Sequence, residues 1–233
     1  GCVPKKLFVY ASRFKDMFEL APGFGWTVGE RRFDWAALIA QKDELVAGLR
    51  QAKYADLLPA YSTIAYLDGP ARLADGGVAV NGSLVKTPMV IITTGARPAV
   101  PAIRGIEAID YLTSTSALDL KTLPKSLLVV GGGFVGAELA QIFARAGVKV
   151  TIVCRSRLLP AAEPEIGAAL SRYFRQEGIR LECGVAYQFC KKTDKGVELS
   201  VRQDGRQQAL QAEQMLVATG RSPNVEQLGL PEA

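Results

Sequence analysis

The sequence predicts an α/β chain of two Rossmann-like, three-layer units, one of them incomplete and holding the other as an insertion. Three observations carry this. Residues 127–130 are four aliphatics that run into Gly131, Gly133 and Gly136 at G-x-G-x-x-G spacing. After Phe134, the residues Leu139, Ile142, Phe143 and Ala146 recur at three- and four-residue spacing, which is one face of a helix, ahead of a second apolar strand at 148–153. Finally, a strand ending in Thr-Gly occurs twice, at Thr94-Gly95 and Thr219-Gly220, on either side of this unit. The chain thus leaves one domain, builds another, and returns.

Taken in order, residues 2–10 read as a helix start. Pro4 suits the first turn, and Leu7, Phe8 and Tyr10 give it an apolar face. Cys2 sits just ahead, where the helix dipole and the nearby Lys5 and Lys6 would stabilise a thiolate. The alternative is a buried capping cysteine. Residues 22–29 are a loop, and Asp34 caps a long amphipathic helix reaching about residue 58, with Trp35, Leu38, Leu45, Leu49 and Ala52 on one side. Such a length suits core or subunit interface. Short strands follow at 63–67 and 71–73, then a hairpin at 78–85 turned by Asn81-Gly82, then a buried strand at 90–92. The proline-rich residues 98–105 make a domain crossing.

The fingerprint unit occupies residues 123–158. Strand, glycine turn, helix and strand together are the context a dinucleotide motif needs before it can be believed. Gly131 permits the tight turn, Gly133 lets backbone approach a pyrophosphate, and Gly136 lets helix and strand pack closely, with the helix N-terminus facing the negative charge. Beyond it come a helix at 165–178 with Ile166, Leu170 and Phe174 on one face, then strands at 179–183, 197–201 and 208–210. The last two turn at Asp204-Gly205 in an antiparallel excursion. A final buried strand, 215–217, leads to Thr219-Gly220.

About 20 residues beyond the fingerprint, an NAD site places an acidic side chain on the ribose 2′-hydroxyl. Here Cys154 is followed by Arg155, Ser156 and Arg157. Two guanidiniums and a hydroxyl suit a 2′-phosphate, so NADPH is the expected cofactor. The competing reading is two solvated surface arginines.

Bulk properties exclude other classes. The 233 residues hold no apolar run of the roughly 20 residues a membrane span needs. The net charge of +5 is spread thinly, without a basic run, so no nucleic-acid partner is expected. His is absent, which leaves no imidazole for proton transfer or metal ligation within the chain. Four cysteines, at 2, 154, 183 and 190, show no zinc spacing; the last three read as small buried or half-buried residues. The chain starts without Met or a signal peptide, and the expectation is an internal fragment of a longer cytoplasmic protein.

Together these features resemble the flavoprotein pyridine nucleotide-disulfide oxidoreductases, over the whole chain. Gly1-Cys2-Val3-Pro4-Lys5-Lys6 is similar to the second half of that family's redox motif, the two Thr-Gly strand ends to its flavin-flanking motifs, and Gly131 to Glu138 to its NAD(P)H motif. The resemblance implies FAD and NADPH as cofactors, and a homodimeric parent. It implies a partial FAD-binding domain with the redox helix at 1–104, an NAD(P)H domain at 105–217, and a return segment at 218–233. Cys2 matches the flavin-side cysteine, whose partner lies outside this chain. Glu138 matches a glutamate that pairs with a lysine near the flavin, either Lys5 or Lys6. Ala71 matches a contact to the adenine end of FAD, with Thr94, Gly95, Thr219 and Gly220 also at the flavin. Gly131, Gly133, Phe134, Gly136, Arg155 and Arg157 would hold the pyridine nucleotide.

Within the family, residues 2–42 look most like glutathione reductase, and from Leu49 onward the similarity shifts to mercuric reductase. Lys5 stands where mercuric reductases usually carry Ser. Phe134 replaces the Tyr that gates the nicotinamide pocket of glutathione reductases, and Ser156 replaces their glycine. The expectation is an NADPH-dependent mercury(II) reductase, with Hg(II) as substrate bound by Cys2. Glutathione disulfide reduction is the alternative, and a module that only binds NADPH, without turnover, is a third reading.

Overall fold

The computed structural model describes residues 2–230. It opens with helices α1 (Cys2–Leu20) and α2 (Trp35–Arg50). Asp34 caps α2 as expected, its Oδ1 accepting from the Ala37 amide at 3.0 Å. The helix gives way at Arg50 to a π-helical turn, Gln51–Ala55, short of the expected residue 58. Next come strands β1 (Ala71–Ala74), β2 (Gly77–Val80), β3 (Ser83–Lys86) and β4 (Ala96–Pro98). Strand β5 (Ser126–Val130), helix α3 (Phe134–Arg145), strand β6 (Lys149–Cys154), helix α4 (Pro164–Gln176) and strand β7 (Arg180–Cys183) follow. The chain closes with β8 (Ala186–Thr193), β9 (Gly196–Gln203), β10 (Arg206–Ala212), β11 (Gln214–Val217) and β12 (Arg221–Pro223).

Two compact units result. The first comprises residues up to 46 together with 98–220; the second comprises 47–97 and the residues from 221 on. The first therefore groups α1 with the fingerprint rather than with residues 47–97.

The first unit is built on a parallel sheet of order β11-β5-β6-β7. Alternation along each strand decides its two faces. Leu127, Val129, Val150, Ile152 and Leu216 face a helical layer, where Leu139 and Phe143 of α3 and Phe8 of α1 are fully enclosed. Leu128, Val130, Val153, Met215 and Val217 face the antiparallel sheet β10-β9-β8 through Leu199, Val201 and Leu210. The third layer is thus a β-sheet. Sequence pattern anticipated β9 and β10 but not β8, whose Tyr187-Gln188 stretch interrupts alternation with a register shift.

Helix α1 is anchored along α3. Phe8 lies 5.1 Å from the Trp35 ring, which in turn lies 5.4 Å from Phe143, centroid to centroid. Farther along, Asp16 pairs with Arg145 at 2.6 Å, and Arg145 also binds Glu177 at 2.8 Å. Hydrogen bonding to Glu177 raises the Arg145 pKa; burial works against Glu177, but Arg145 and Gln141 outweigh it and lower its pKa. With Lys5 and Lys6 meeting Glu138 at the other end, α1 and α3 run side by side in one direction.

The second unit carries the antiparallel sheet β1-β2-β3, turned at Asn81-Gly82 as expected. Strand β4 pairs with β12. Two sequence expectations fail here. Residues 63–67 and 90–92 are not strands, and Ile91 is 87% exposed. Among the described residues neither segment joins a sheet; residues 90–92 line a cavity with Ala71, Arg72 and Leu73 of β1 and Val78 of β2 without pairing with them. No hydrophobic side chain among the described residues of this unit is buried.

Candidate functional site

In the first unit the site begins at the glycine turn. Strand β5 must reverse into α3 within three residues, and the Gly131 amide donates to the Val153 carbonyl at 2.8 Å as it does so. Gly131 takes φ +121°, and a Cβ there would lie 2.3 Å from the Ala218 carbonyl oxygen. A Cβ on Gly136 would meet the Gly131 carbonyl at 2.4 Å, so only glycine lets α3 sit this close to the turn. Gly133 differs: it caps α3 with nothing within 4 Å of its Cβ position. The open space lies over the free amides of the helix N-terminus, a fit to a pyrophosphate. Phe134 is 59% exposed beside it.

Arg155 and Arg157 have different environments. Arg155 is exposed just past β6. The Arg157 guanidinium donates to the carbonyls of Leu159, Pro160 and Ala162 at 3.1, 3.1 and 2.6 Å. Those bonds tie down the loop after β6, which returns to the turn through Leu159 N to Gly132 O at 2.7 Å. Of the two arginines expected at a phosphate, Arg157 thus spends its guanidinium on backbone carbonyls, and Arg155 is exposed.

Cys2 starts α1 and is exposed. Lys5 and Lys6, one turn later, both reach Glu138 on α3: Lys5 Nζ pairs with Oε2, and Lys6 Nζ donates to Oε1 at 2.7 Å. The sequence left open which lysine serves, and the structure engages both. Burial alone would raise the Glu138 pKa, but hydrogen bonds from Lys5 and Lys6 outweigh it and lower it. Hydrogen bonding to Glu138 raises Lys6. Because both helices run in one direction, the cysteine, this charge cluster and the glycine turn gather at a common end of the unit.

The cluster carries a pH signature. A carboxylate held below its ordinary value stabilises the fold above the unfolded pKa, near 4.5, and loses that contribution as pH falls through the folded value. Glu138→Gln is therefore expected to cost about 1 kcal/mol at pH 7, modest because the group is partly exposed, and to approach wild type as pH falls below the ordinary carboxylate range and Glu138 protonates. Thermal unfolding from pH 7 to pH 3 checks this; a variant that matches wild type at pH 7 refutes it.

In the second unit, Ala71 and Thr94 line one cavity of about 920 Å³ with Arg97, Asn224 and Glu226. Thr94 Oγ1 donates to the Asn224 carbonyl at 2.7 Å, and the Gly95 carbonyl accepts from the Asn224 amide at 3.0 Å. Arg97 grips Glu226 through both carboxylate oxygens, which brings Glu226 down to about 2. Sequence reasoning missed this pair, since the partners are 129 residues apart. Thr219 belongs to the first unit, where its hydroxyl donates to the Ala99 carbonyl at 2.8 Å and the Gly220 carbonyl accepts from the Ala99 amide at 3.0 Å.

Among the described residues no group of three metal-ligating side chains occurs, and no helix is long and apolar enough to cross a membrane.

Comparison with known proteins bears on this geometry. The family model described as pyridine nucleotide-disulphide oxidoreductase matches residues 1–232. A mercuric reductase of Staphylococcus aureus is 39% identical over 234 residues, covering 100% of this chain and 43% of its own. A glutathione reductase of Nostoc sp. is 34% identical over 235 residues, covering 100% and 50%. Among solved structures, the HOCl-induced flavoprotein disulfide reductase RclA from Escherichia coli superposes with a TM-score of 0.82 at 28% identity, covering 100% of this chain and 49% of that one. The chain thus spans about half the length of the relatives it matches.

Proposed function

Since the chain belongs to the pyridine nucleotide-disulphide oxidoreductase family, we propose that it supplies the redox helix and NADPH-binding unit of an FAD-dependent mercury(II) reductase. The observation that carries this is the convergence of Cys2, the Lys5–Lys6–Glu138 cluster and the glycine turn at one end of the first unit. In this reading residues 1–104 and 218–233 belong to a Rossmann-like FAD domain, and 105–217 form the inserted NADPH domain of a cytoplasmic homodimer.

Each residue then has a physical task. The amides at the start of α3 bind the pyrophosphate, and Arg155 offers its fork to the 2′-phosphate. Phe134, exposed at the turn, covers the nicotinamide. Glu138 holds two ammonium groups at the end of the unit where Cys2 lies. The cavity holding Ala71 and Thr94 in the second unit suits the adenine end of FAD. FAD, when bound, supplies two-electron transfer between pyridine nucleotide and thiol.

Hg(II), as substrate, is a soft cation that prefers thiolate ligands, and Cys2 is the exposed sulfur available to it. Net, NADPH and Hg(II) give NADP⁺, a proton and Hg(0). The similarity to mercuric reductases supports this substrate. Glutathione disulfide is the second reading, favoured by Lys5 beside Glu138 and by the similarity to glutathione reductase.

The test is NADPH oxidation by the chain expressed with whatever sequence naturally flanks it. Hg(II)-dependent turnover is expected, with Cys2→Ser lowering it by at least about a thousandfold. Turnover with glutathione disulfide and none with Hg(II) would favour the second reading. NADPH binding without either turnover would leave a binding module.

A further inference from the structure

Two thiols lie beside the nucleotide turn and have no part in the reaction above. Cys154 and Cys183 are register partners at the ends of the parallel strands β6 and β7. Both side chains therefore leave the sheet on one face, the face of Ile152 and Leu181. Neighbouring strands lie about 4.8 Å apart, within the roughly 4.4–6.8 Å between Cα atoms that a disulfide spans. Both are free thiols; Cys154 is buried, and half-buried Cys183 is the one that solvent reaches.

The pair is chemically asymmetric. Hydrogen bonding to Cys183 is the largest influence on Cys154 and, with burial, pushes its pKa far up. The same bond brings Cys183 down to about 7 against burial, helped by Arg175 of α4 and the Leu158 backbone and opposed by Glu182. Tyr187 packs on the opposite face of the sheet, its hydroxyl donating to the Val153 carbonyl at 3.1 Å, and burial pushes its pKa up. The half-buried thiol, shifted down, is the attacking cysteine and the buried one, shifted up, the resolving cysteine.

Their place gives the pair a consequence. A Cβ on Gly132 would lie 3.0 Å from both Cβ and Sγ of Cys154, so this sulfur packs directly on the turn. Arg155 is the next residue along the chain.

We propose that Cys154 and Cys183 are an oxidative modification site, closed to a disulfide by hydroperoxides, and that closure weakens pyridine-nucleotide binding at the adjoining turn. The Cys183 thiolate attacks a peroxide oxygen; an S–O bond forms, the O–O bond breaks, and hydroxide leaves. Cys154 then attacks the sulfenic sulfur; the S–S bond forms, the S–O bond breaks, and a second hydroxide leaves. The Cys154 proton and one from solvent, equal to the one Cys183 released on ionising, convert these to water. Two thiols and one hydrogen peroxide thus give a disulfide and two waters, a two-electron oxidation. The effect on binding rests on the nucleotide reading above; the disulfide itself does not.

The reduced chain is treated with hydrogen peroxide at neutral pH, alkylated, digested with trypsin and weighed, and a parallel sample is titrated with NADPH. Peptide 150–155 linked to peptide 181–191, less two hydrogens, is expected, with NADPH affinity lowered about tenfold and restored by dithiothreitol. Peptide 181–191 also carries Cys190, so Cys190→Ser is expected to keep the link and Cys183→Ser to abolish it, each melting as a folded protein. Alkylated Cys154 and Cys183 after peroxide treatment would overturn the site. A link that leaves NADPH affinity unchanged would overturn the coupling. Failure of the untreated chain to bind NADPH would count against the nucleotide reading instead, and the mass of the peptides would still decide the disulfide.

Discussion

Gly131→Ala is expected to destabilise the first unit by about 4 kcal/mol, the sum of roughly 1–3 kcal/mol of backbone strain and a similar overpacking term. The strain arises because φ +121° is open to glycine and rarely to other residues. The overpacking arises because the new methyl would lie 2.3 Å from the Ala218 carbonyl, in a backbone that cannot swing aside. Denaturant unfolding measures the loss, and a midpoint equal to wild type would refute it. Gly133→Ala separates fold from function. Its φ is an ordinary −80° and no atom lies within 4 Å, so stability should stay within about 0.5 kcal/mol of wild type. NADPH affinity should nonetheless fall about a hundredfold, because the methyl fills the space a pyrophosphate needs. A Gly133→Ala protein that binds NADPH normally would mean the phosphates lie elsewhere.

Arg155→Glu is expected to reverse cofactor preference. The wild-type guanidinium gains one or two charge-assisted hydrogen bonds to a 2′-phosphate, worth about 1.5–3 kcal/mol each, so NADPH should be preferred over NADH by roughly a hundredfold. A carboxylate repels that phosphate and accepts from a ribose hydroxyl, which favours NADH. Titration of both nucleotides against both proteins measures this. A wild-type preference for NADH would refute the phosphate reading. Arg157 makes a useful contrast: its three carbonyl partners predict that Arg157→Ala lowers stability and leaves cofactor preference alone.

Much of the first unit was legible because its signals are local. Glycines at positions 131, 133 and 136 between apolar runs specify a strand, turn and helix through rules that reach only a few residues. Strand β8 was not legible, because its register shift breaks the alternation that marks a strand. In the second unit residues 90–92 have the composition of a buried strand and the exposure of a loop. Composition reports what a segment would accept as neighbours, and whether neighbours exist is a tertiary fact.

The site divides in the same way. Residue type and spacing alone determined that a glycine turn joins a strand to a helix, that a cysteine and two lysines share the start of a helix, and that an arginine stands where an acid would read ribose. Tertiary structure alone decided that Lys5 and Lys6 share Glu138, that Arg157 holds a loop while Arg155 stays open, and that Cys154 meets Cys183. The reason is physical. Backbone preferences act over one or two turns of chain, whereas a side chain's partner is whichever group the packed layers bring within about 3 Å, and for Lys6 that group is 132 residues away.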